Sequence, residues 1–177
     1  MSKKVILYIA ASLDGYIATN DDDLGFLSIV EQPGQDYGYG KFIETIDTVI
    51  IGRKTYDKVL SMGFDYPHAD KKSYIVTRSA KPDIGNIQFF TGDLKELVTD
   101  LKQQEGKDIF VDGGAEVVNL LMQHDLFDDF IVSLIPTFLG DGIRLFKGGR
   151  PAQNLEFISS ESFESGLVQL HYKRKIA

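Results

Sequence analysis

Residues 111–118, VDGGAEVV, give the clearest local indication of the fold class. The apolar run at residues 108–111 predicts a buried strand, and the apolar spacing after it predicts a helix over Ala115–Gln123. Gly113 and Gly114 stand between the two. Residues without a Cβ atom let another molecule lie against the backbone, and the helix that follows points free N–H groups at the same place. A ligand-contacting turn and a plain tight turn both fit this pattern, and the second glycine favours the first.

Short apolar runs rich in Val and Ile alternate with amphipathic segments along the rest of the chain. Strands are predicted at residues 5–11, 48–51, 73–77, 87–90, 108–111 and 130–135, and helices at residues 39–46, 54–61, 94–104 and 115–123. Residues 156–164 and 167–174 predict a closing hairpin. This order is typical of an α/β fold. We therefore predict a single domain over residues 1–177, with a mixed, mostly parallel sheet, helices on both faces and a C-terminal antiparallel hairpin.

The composition is that of an acidic globular protein, with 43% hydrophobic residues and a net charge of −7. Because such a chain repels phosphates in bulk, we expect no nucleic-acid partner. The cysteine count of 0 excludes disulfides and thiolate metal sites, so no metal is predicted and a reducing, cytoplasmic location is expected. The longest uncharged run, residues 130–140, is too short to span a bilayer, so we expect no membrane association.

Candidate ligand-binding residues follow the predicted strands, where ligands of parallel sheets bind. Gly52, Arg53 and Lys54 follow the second strand at the start of a helix, whose N-terminus is itself partly positive. Residues 77–79, Thr-Arg-Ser, follow the third, and their groups suit a phosphate monoester. A solvated turn and an exposed arginine remain the alternatives. Together with the glycine pair, these segments predict one elongated ligand with several phosphates, although both common nucleotide-binding glycine fingerprints are absent.

Five stretches, in order, resemble the dihydrofolate reductase superfamily and most closely the C-terminal reductase domain of the bifunctional riboflavin-biosynthesis deaminase/reductase. They are ASLDGYIA (residues 11–18), IGRKTY (51–56), VTRS (76–79), IFVDGGAE (109–116) and PTFLGDG through LF (136–146). Their combination is specific to the family, and they span nearly the whole chain.

The resemblance implies a reductase that uses NADPH as its hydride donor. The residues that it assigns to the pyrophosphate region are Gly52, Arg53, Lys54 and Thr55. Those around the adenosine 2′-phosphate are Thr77, Arg78 and Ser79. A cis peptide is implied between Gly113 and Gly114, beneath the cofactor and before a helix that starts at Ala115 or Glu116. Ala10 and Ala11 are placed beside the nicotinamide, and Ile17 in a flexible loop that closes over it.

Two acids are candidates for proton transfer to the substrate. Counting back from Gly52 by the spacing that dihydrofolate reductases show gives Asp36, and a helix-capping role fits the same position. Asp14 belongs to a family signature near the substrate and nicotinamide, and an Asp-Gly turn is its alternative. His68 is assigned either to the pocket border or to a surface loop, and Tyr39 either to stacking on a flat ring or to the core.

The expected substrate is a small heterocycle. The first candidate function is reduction of 5-amino-6-(5-phosphoribosylamino)uracil, as in riboflavin biosynthesis. The second is pterin reduction like that of dihydrofolate reductases, and the third is NADPH binding without catalysis. The acidic run Asp21-Asp22-Asp23 does not favour a phosphate beside it, and the family's loop tryptophan has no counterpart among 0 tryptophans. Relatives of this type commonly dimerise, and residues 130–135, followed by Pro136, are the expected exposed edge of a homodimer.

Overall fold

The computed structural model describes residues 2–176. Its strands are β1 (Val5–Ser12), β2 (Tyr16–Ala18), β3 (Ile46–Gly52), β4 (Lys72–Val76), β5 (Ile87–Phe90), β6 (Asp108–Gly113), β7 (Asp129–Ile135), β8 (Ile143–Arg144), β9 (Leu155–Ser162) and β10 (Val168–Arg174). Its helices are α1 (Tyr39–Ile43), α2 (Arg53–Ser61), α3 (Leu94–Gln103) and α4 (Ala115–Gln123), with a 3₁₀ turn at Gly25–Val30. Within the described chain, no helix is both long and apolar enough to cross a bilayer.

An eight-stranded sheet forms the centre of the protein, in the order β5-β4-β3-β6-β1-β7-β10-β9. The six strands from β5 to β7 are parallel to one another. Strand β10 runs antiparallel to β7, and β9 antiparallel to β10. This arrangement confirms the predicted α/β class and the C-terminal hairpin. The carboxyl ends of all six parallel strands therefore lie at one edge of the sheet.

The central strands are buried on both faces, which is why they appear in the sequence as continuous apolar runs. Ile109, Phe110 and Val111 of β6 are at most 1% exposed. Burying each such side chain contributes roughly 1.5–3 kcal/mol. Helices α3 and α4 cover one face, and α1, α2 and the segment before β4 cover the other. Helix α3 begins where the Asp93 carboxylate accepts a hydrogen bond from the backbone N–H of Glu96, at 3.0 Å.

Two predicted features are wrong. Ile46 does not end α1 but begins β3, where its β-branched side chain is 2% exposed, and α1 stops at Ile43. The segment at residues 130–135 is not an exposed edge, because β7 pairs with β1 on one side and with β10 on the other. The hairpin that docks there moves the free edge outward to β9.

A β-bulge interrupts the pairing of β3 with β6. Ile50 pairs with Val111, but the next residue, Ile51, pairs with Gly113, so that Asp112 has no counterpart on β3. Bulges bend a strand, re-aim the side chain of the extra residue and recur beside active sites. The bulge lies directly before the glycine pair.

Candidate functional site

Three segments that are distant in sequence meet at the carboxyl edge of the sheet. A Cβ atom added to Gly52 would lie 3.5 Å from the backbone nitrogen of Gly114, and one added to Gly114 would lie 2.8 Å from Oγ1 of Thr55. A Cβ atom on Gly113 would lie 3.7 Å from Cδ1 of Ile9 in β1. The Gly113–Gly114 peptide is cis, as the resemblance implies. The glycines therefore leave a backbone-lined surface between β3, β6 and β1.

Four cations follow the ends of the neighbouring strands β3 and β4: Arg53, Lys54, Arg78 and Lys81. We call these residues, together with Thr77, Ser79 and the glycine pair, the cationic edge. Nε of Arg53 donates to both oxygens of Asp57, at 2.7 and 2.8 Å. Arg53 and Lys81 both lie over the ring of Phe89, 5.5 and 5.9 Å from its centroid. Within residues 2–176, Lys54, Arg78 and Lys81 form no ion pair, which leaves three cations for an anionic ligand.

The turn after β4 presents its polar groups at this edge. Oγ1 of Thr77 accepts a hydrogen bond from the N–H of Ser79 at 3.2 Å, while Arg78 between them is exposed. Gly52 pairs directly with Val76, so this turn and the start of α2 lie on adjacent strands. At the first turn of α4, Ala115 is buried and Glu116 is exposed. The geometry thus brings the predicted phosphate-binding segments side by side.

The residues expected around the nicotinamide lie near the end of β1. Ala11 is 1% exposed, and Ala10 is half-buried against the cluster that contains Phe26 and Val30 of the 3₁₀ turn. Ile17 lies not in an open loop but in β2, which pairs with β8, and its side chain packs against the main core. These short elements carry no periodicity that the sequence could reveal.

Asp14 joins two loops. Its carboxylate accepts hydrogen bonds from the hydroxyl of Ser12 at 2.6 Å and from the backbone N–H groups of Leu139 and Gly140 at 3.1 and 2.8 Å. Burial alone would raise the pKa of Asp14, but these hydrogen bonds outweigh it and leave the pKa below its ordinary value. A carboxylate held in this way braces the loop after β1 against the loop after β7.

Asp36 is exposed and caps the start of α1. Its two oxygens accept from the backbone N–H groups of Gly38 at 2.9 Å and Gly40 at 3.0 Å. The bonds from Gly38 and Gly40 lower the pKa of Asp36. The contacts fit the capping role that the sequence left open.

Asp112, the bulged residue, is the acid that sequence reasoning overlooked. Its Oδ2 lies 3.3 Å from Nε2 of His68, and the Tyr39 hydroxyl lies 3.5 Å from the same nitrogen. His68 is 2% exposed and so is no surface loop residue, whereas the Asp112 side chain remains 27% exposed. A charged residue that follows the apolar residues 109–111 and stands directly before two glycines was the signal in the sequence.

Aromatic rings enclose this cluster on the face of the sheet opposite α3 and α4. We call this group of residues the aromatic face; it consists of Tyr8, Tyr39, Phe42, His68, Phe110 and Asp112. Tyr8 stacks on Phe42 with ring centroids 4.5 Å apart, and Phe110 meets Phe42 edge-on at 5.1 Å. Burial, and then the charge of Asp112, raises the pKa of Tyr39 far above its ordinary value, so its hydroxyl keeps its proton.

The eight-stranded, mostly parallel sheet with its antiparallel C-terminal strands is the dihydrofolate reductase-like fold. Residues 3–169 match the RibD C-terminal domain, and the chain belongs to that family. Members of the family are NADPH-dependent reductases. The resemblance inferred from the five motifs is thereby confirmed.

Three known proteins are similar to the chain. The chain is 40% identical to an uncharacterised protein of Bacillus subtilis (strain 168), YwjB, over 98% of this chain and 99% of that protein. A putative riboflavin biosynthesis protein from Shewanella sp. PV-4 superposes with a TM-score of 0.88 at 29% identity, over 99% of this chain and 100% of that one. The Thermotoga maritima diaminohydroxyphosphoribosylaminopyrimidine deaminase/5-amino-6-(5-phosphoribosylamino)uracil reductase superposes with a TM-score of 0.72 at 14% identity, over 98% of this chain and 57% of that one, a likeness of fold alone.

Proposed function

We propose that the protein is an NADPH-dependent reductase of a planar nitrogen heterocycle, a pyrimidine or a pteridine. The observation that carries the proposal is the contact between Gly52, Thr55 and the Gly113–Gly114 turn, beside a row of cations. Such a surface suits a pyrophosphate, which needs close backbone approach, free N–H groups and positive charge.

The coenzyme would lie along the cationic edge. Gly52, Arg53, Lys54 and Thr55 would hold its pyrophosphate, and residues 77–79 its 2′-phosphate. Ala10, Ala11 and Ile17 would then adjoin the nicotinamide, with Ala115 and Glu116 at the helix start beyond the glycine turn. Bound there, NADPH supplies the hydride.

Proton transfer is assigned to Asp112. The carboxylate is next to Gly113 in the chain, is 27% exposed, and has Oδ2 3.3 Å from Nε2 of His68. It would bind a ring N–H of the substrate and, directly or through a water that it orients, handle the proton. Asp36, with its two oxygens engaged by backbone N–H groups, keeps the capping role.

Membership in the family makes 5-amino-6-(5-phosphoribosylamino)uracil the first substrate to test and dihydropterins the second. Calorimetric titration of the full chain with NADPH, followed by NADPH-oxidation assays on aminouracils and pterins, tests the proposal. We expect both binding and oxidation. Binding without oxidation of any heterocycle would favour a nucleotide-binding module, and the absence of NADPH binding would overturn the assignment of the cationic edge.

A homodimer through β9 is also proposed. All eight residues of β9 are exposed, including Leu155, Phe157 and Ile158 at 43%, 56% and 42%, and one backbone edge of the strand is unpaired in the described chain. A second copy would pair along this edge and cover the apolar side chains. Light scattering should find a dimer that Phe157→Asp shifts toward monomer, whereas a monomeric wild-type chain would refute the proposal.

A further inference from the structure

Asn119 is a buried amide in the middle of α4, and it is 8% exposed. Its Nδ2 donates to two backbone carbonyl oxygens, that of Ala115 at 2.7 Å and that of Leu145 at 2.9 Å. Its Oδ1 accepts from the backbone N–H of Lys147 at 2.7 Å. The backbone groups inside a helix bond to one another, so α4 does not need this amide in order to form. Two of its hydrogen bonds lead out of the helix, to the segment that follows β8.

That segment belongs to a small unit beside the main sheet, which we call the cover and which consists of residues 16–18 and 143–147. Strands β2 and β8 pair antiparallel within it and form a two-stranded sheet of their own. The N–H of Leu145 donates to the carbonyl oxygen of Gly15 at 2.9 Å. The guanidinium of Arg144 lies 4.8 Å from the centroid of the Tyr16 ring. The two strands of the cover are therefore tied to each other.

The attachment of the cover to the rest of the protein depends on few directional contacts. Ile17 and the buried Leu145 pack against the main core, but apolar packing does not fix a register as hydrogen bonds do. Among the α4 side chains, only that of Asn119 hydrogen-bonds to residues 143–147 in the described chain. Its amide therefore sets where the cover sits on α4.

The same helix begins at the glycine turn. Gly114 precedes its first residue, and the carbonyl oxygen of Gly114 accepts from the N–H of Val118 at 3.1 Å. Asn119 follows Val118 and bonds back to Ala115, so it lies one helical turn beyond the glycines. One side chain thus joins the turn assigned to the pyrophosphate to the unit that carries Ile17.

We propose that Asn119 is a positioning residue, which holds the cover in register with the glycine turn so that the nicotinamide of the bound coenzyme is shielded from water. The inference rests on the proposed reductase function and adds a requirement to it. Asn119 itself touches neither substrate nor coenzyme. Its role is to make the two ends of the coenzyme site one rigid unit, because hydride transfer depends on close alignment of the reacting atoms.

Hydrogen exchange of the free chain tests whether Asn119 anchors the cover. Asn119→Leu removes its three hydrogen bonds, and we expect the amides of residues 16–18 and 143–147 to exchange about tenfold faster or more. Thr48→Val is the matched control, because it removes another buried polar group, 2% exposed, toward the amino end of β3. If Asn119→Leu does not fold, Asn119→Asp, which keeps only the acceptor, decides the point. Unchanged exchange in the cover would overturn the proposal.

NADPH tests the role of this anchor in the site. By calorimetry, Asn119→Leu should bind NADPH within about threefold of wild type, because the residues assigned to the phosphates are unchanged. Acrylamide should quench the fluorescence of the bound nicotinamide about threefold more efficiently or more in Asn119→Leu, because water and quencher now reach the ring. Thr48→Val should change neither quantity.

The contrary outcomes separate this role from the reductase function. Quenching equal to wild type would overturn the positioning role, and so would a loss of affinity of about tenfold or more, since Asn119 would then support the phosphate-binding turn instead. In both cases wild type still binds NADPH and the proposed function stands. Absence of NADPH binding in wild type would refute the reductase function and this role together.

Discussion

The cationic edge and the aromatic face differ in where their residues stand in the chain. The cationic edge is formed by residues that follow strands, such as Arg53 and Arg78, which are placed by turns and helix starts. Half of the aromatic face, namely Tyr8, Phe110 and Asp112, comes from within strands, where the alternation of the sheet places the side chains, and the other half comes from α1 and a loop. Under the proposed function, the turns would hold the phosphates of the coenzyme and the strand residues would meet the heterocycle.

The largest effect is expected from Asp112→Asn, because this variant removes the carboxylate of the aromatic face. It should lower kcat/KM for the reduced heterocycle by about 10²–10⁴-fold, the usual range for loss of a general acid, while NADPH affinity stays unchanged. Steady-state kinetics beside a binding titration measures both. If Asp36→Asn lowered kcat/KM more than Asp112→Asn does, proton transfer would be assigned to Asp36 instead.

Gly114→Val tests the backbone-lined turn. Its added atoms would lie 2.8 Å from Oγ1 of Thr55, where overpacking costs roughly 1–3 kcal/mol, so we expect NADPH affinity to fall about 100-fold. Gly148→Val is the matched control, because a Cβ atom there meets nothing within 4 Å. Equal behaviour of the two variants in a binding titration would remove the glycine turn from the coenzyme site.

Arg78→Ala tests the cationic half alone. Loss of a charge-assisted hydrogen bond to the 2′-phosphate should weaken NADPH about tenfold or more and leave NADH nearly unchanged. Lys95→Ala, on the exposed side of α3, controls for the general loss of positive charge. An equal loss for both coenzymes would contradict the 2′-phosphate assignment.

The smallest effect is expected for Asp14, which joins the loop after β1 to the loop after β7. Because its pKa is lowered in the folded protein, its stabilising contribution is present above the unfolded pKa and lost as pH falls through the folded one. Urea unfolding of wild type and Asp14→Asn should therefore differ near neutral pH and converge in acid. A difference that stays constant with pH would show that the brace does not depend on the charge.

The sequence was sufficient for the α/β class and for the strands of the main sheet, because these follow from local patterns. The strands β1, β3 and β6 each contain a run of apolar residues because both their faces are buried. Strand order is not local. The exposed edge was misplaced on β7 because only the docking of β10 shows that β7 is an interior strand.

The acidic site was harder to predict for the same reason. Spacing along the chain selected Asp36, but spacing does not show that Gly38 and Gly40 occupy its oxygens. His68 comes from a loop without periodicity, and its burial depends on Tyr66 and Phe110 around it. Asp112 belongs to the motif VDGGAEVV, but the direction of its side chain depends on the β-bulge between β3 and β6. Only the three-dimensional structure shows that bulge.

That irregularity, the unmatched residue in β6, has a consequence for how such proteins can diverge. Asp112 has no partner on β3, and Gly113 pairs with Ile51 directly after it. The pairing of the glycine turn therefore does not involve the side chain at position 112. Under the proposed function, an exchange of that one side chain would change the contact with the substrate and leave the residues assigned to the coenzyme in place.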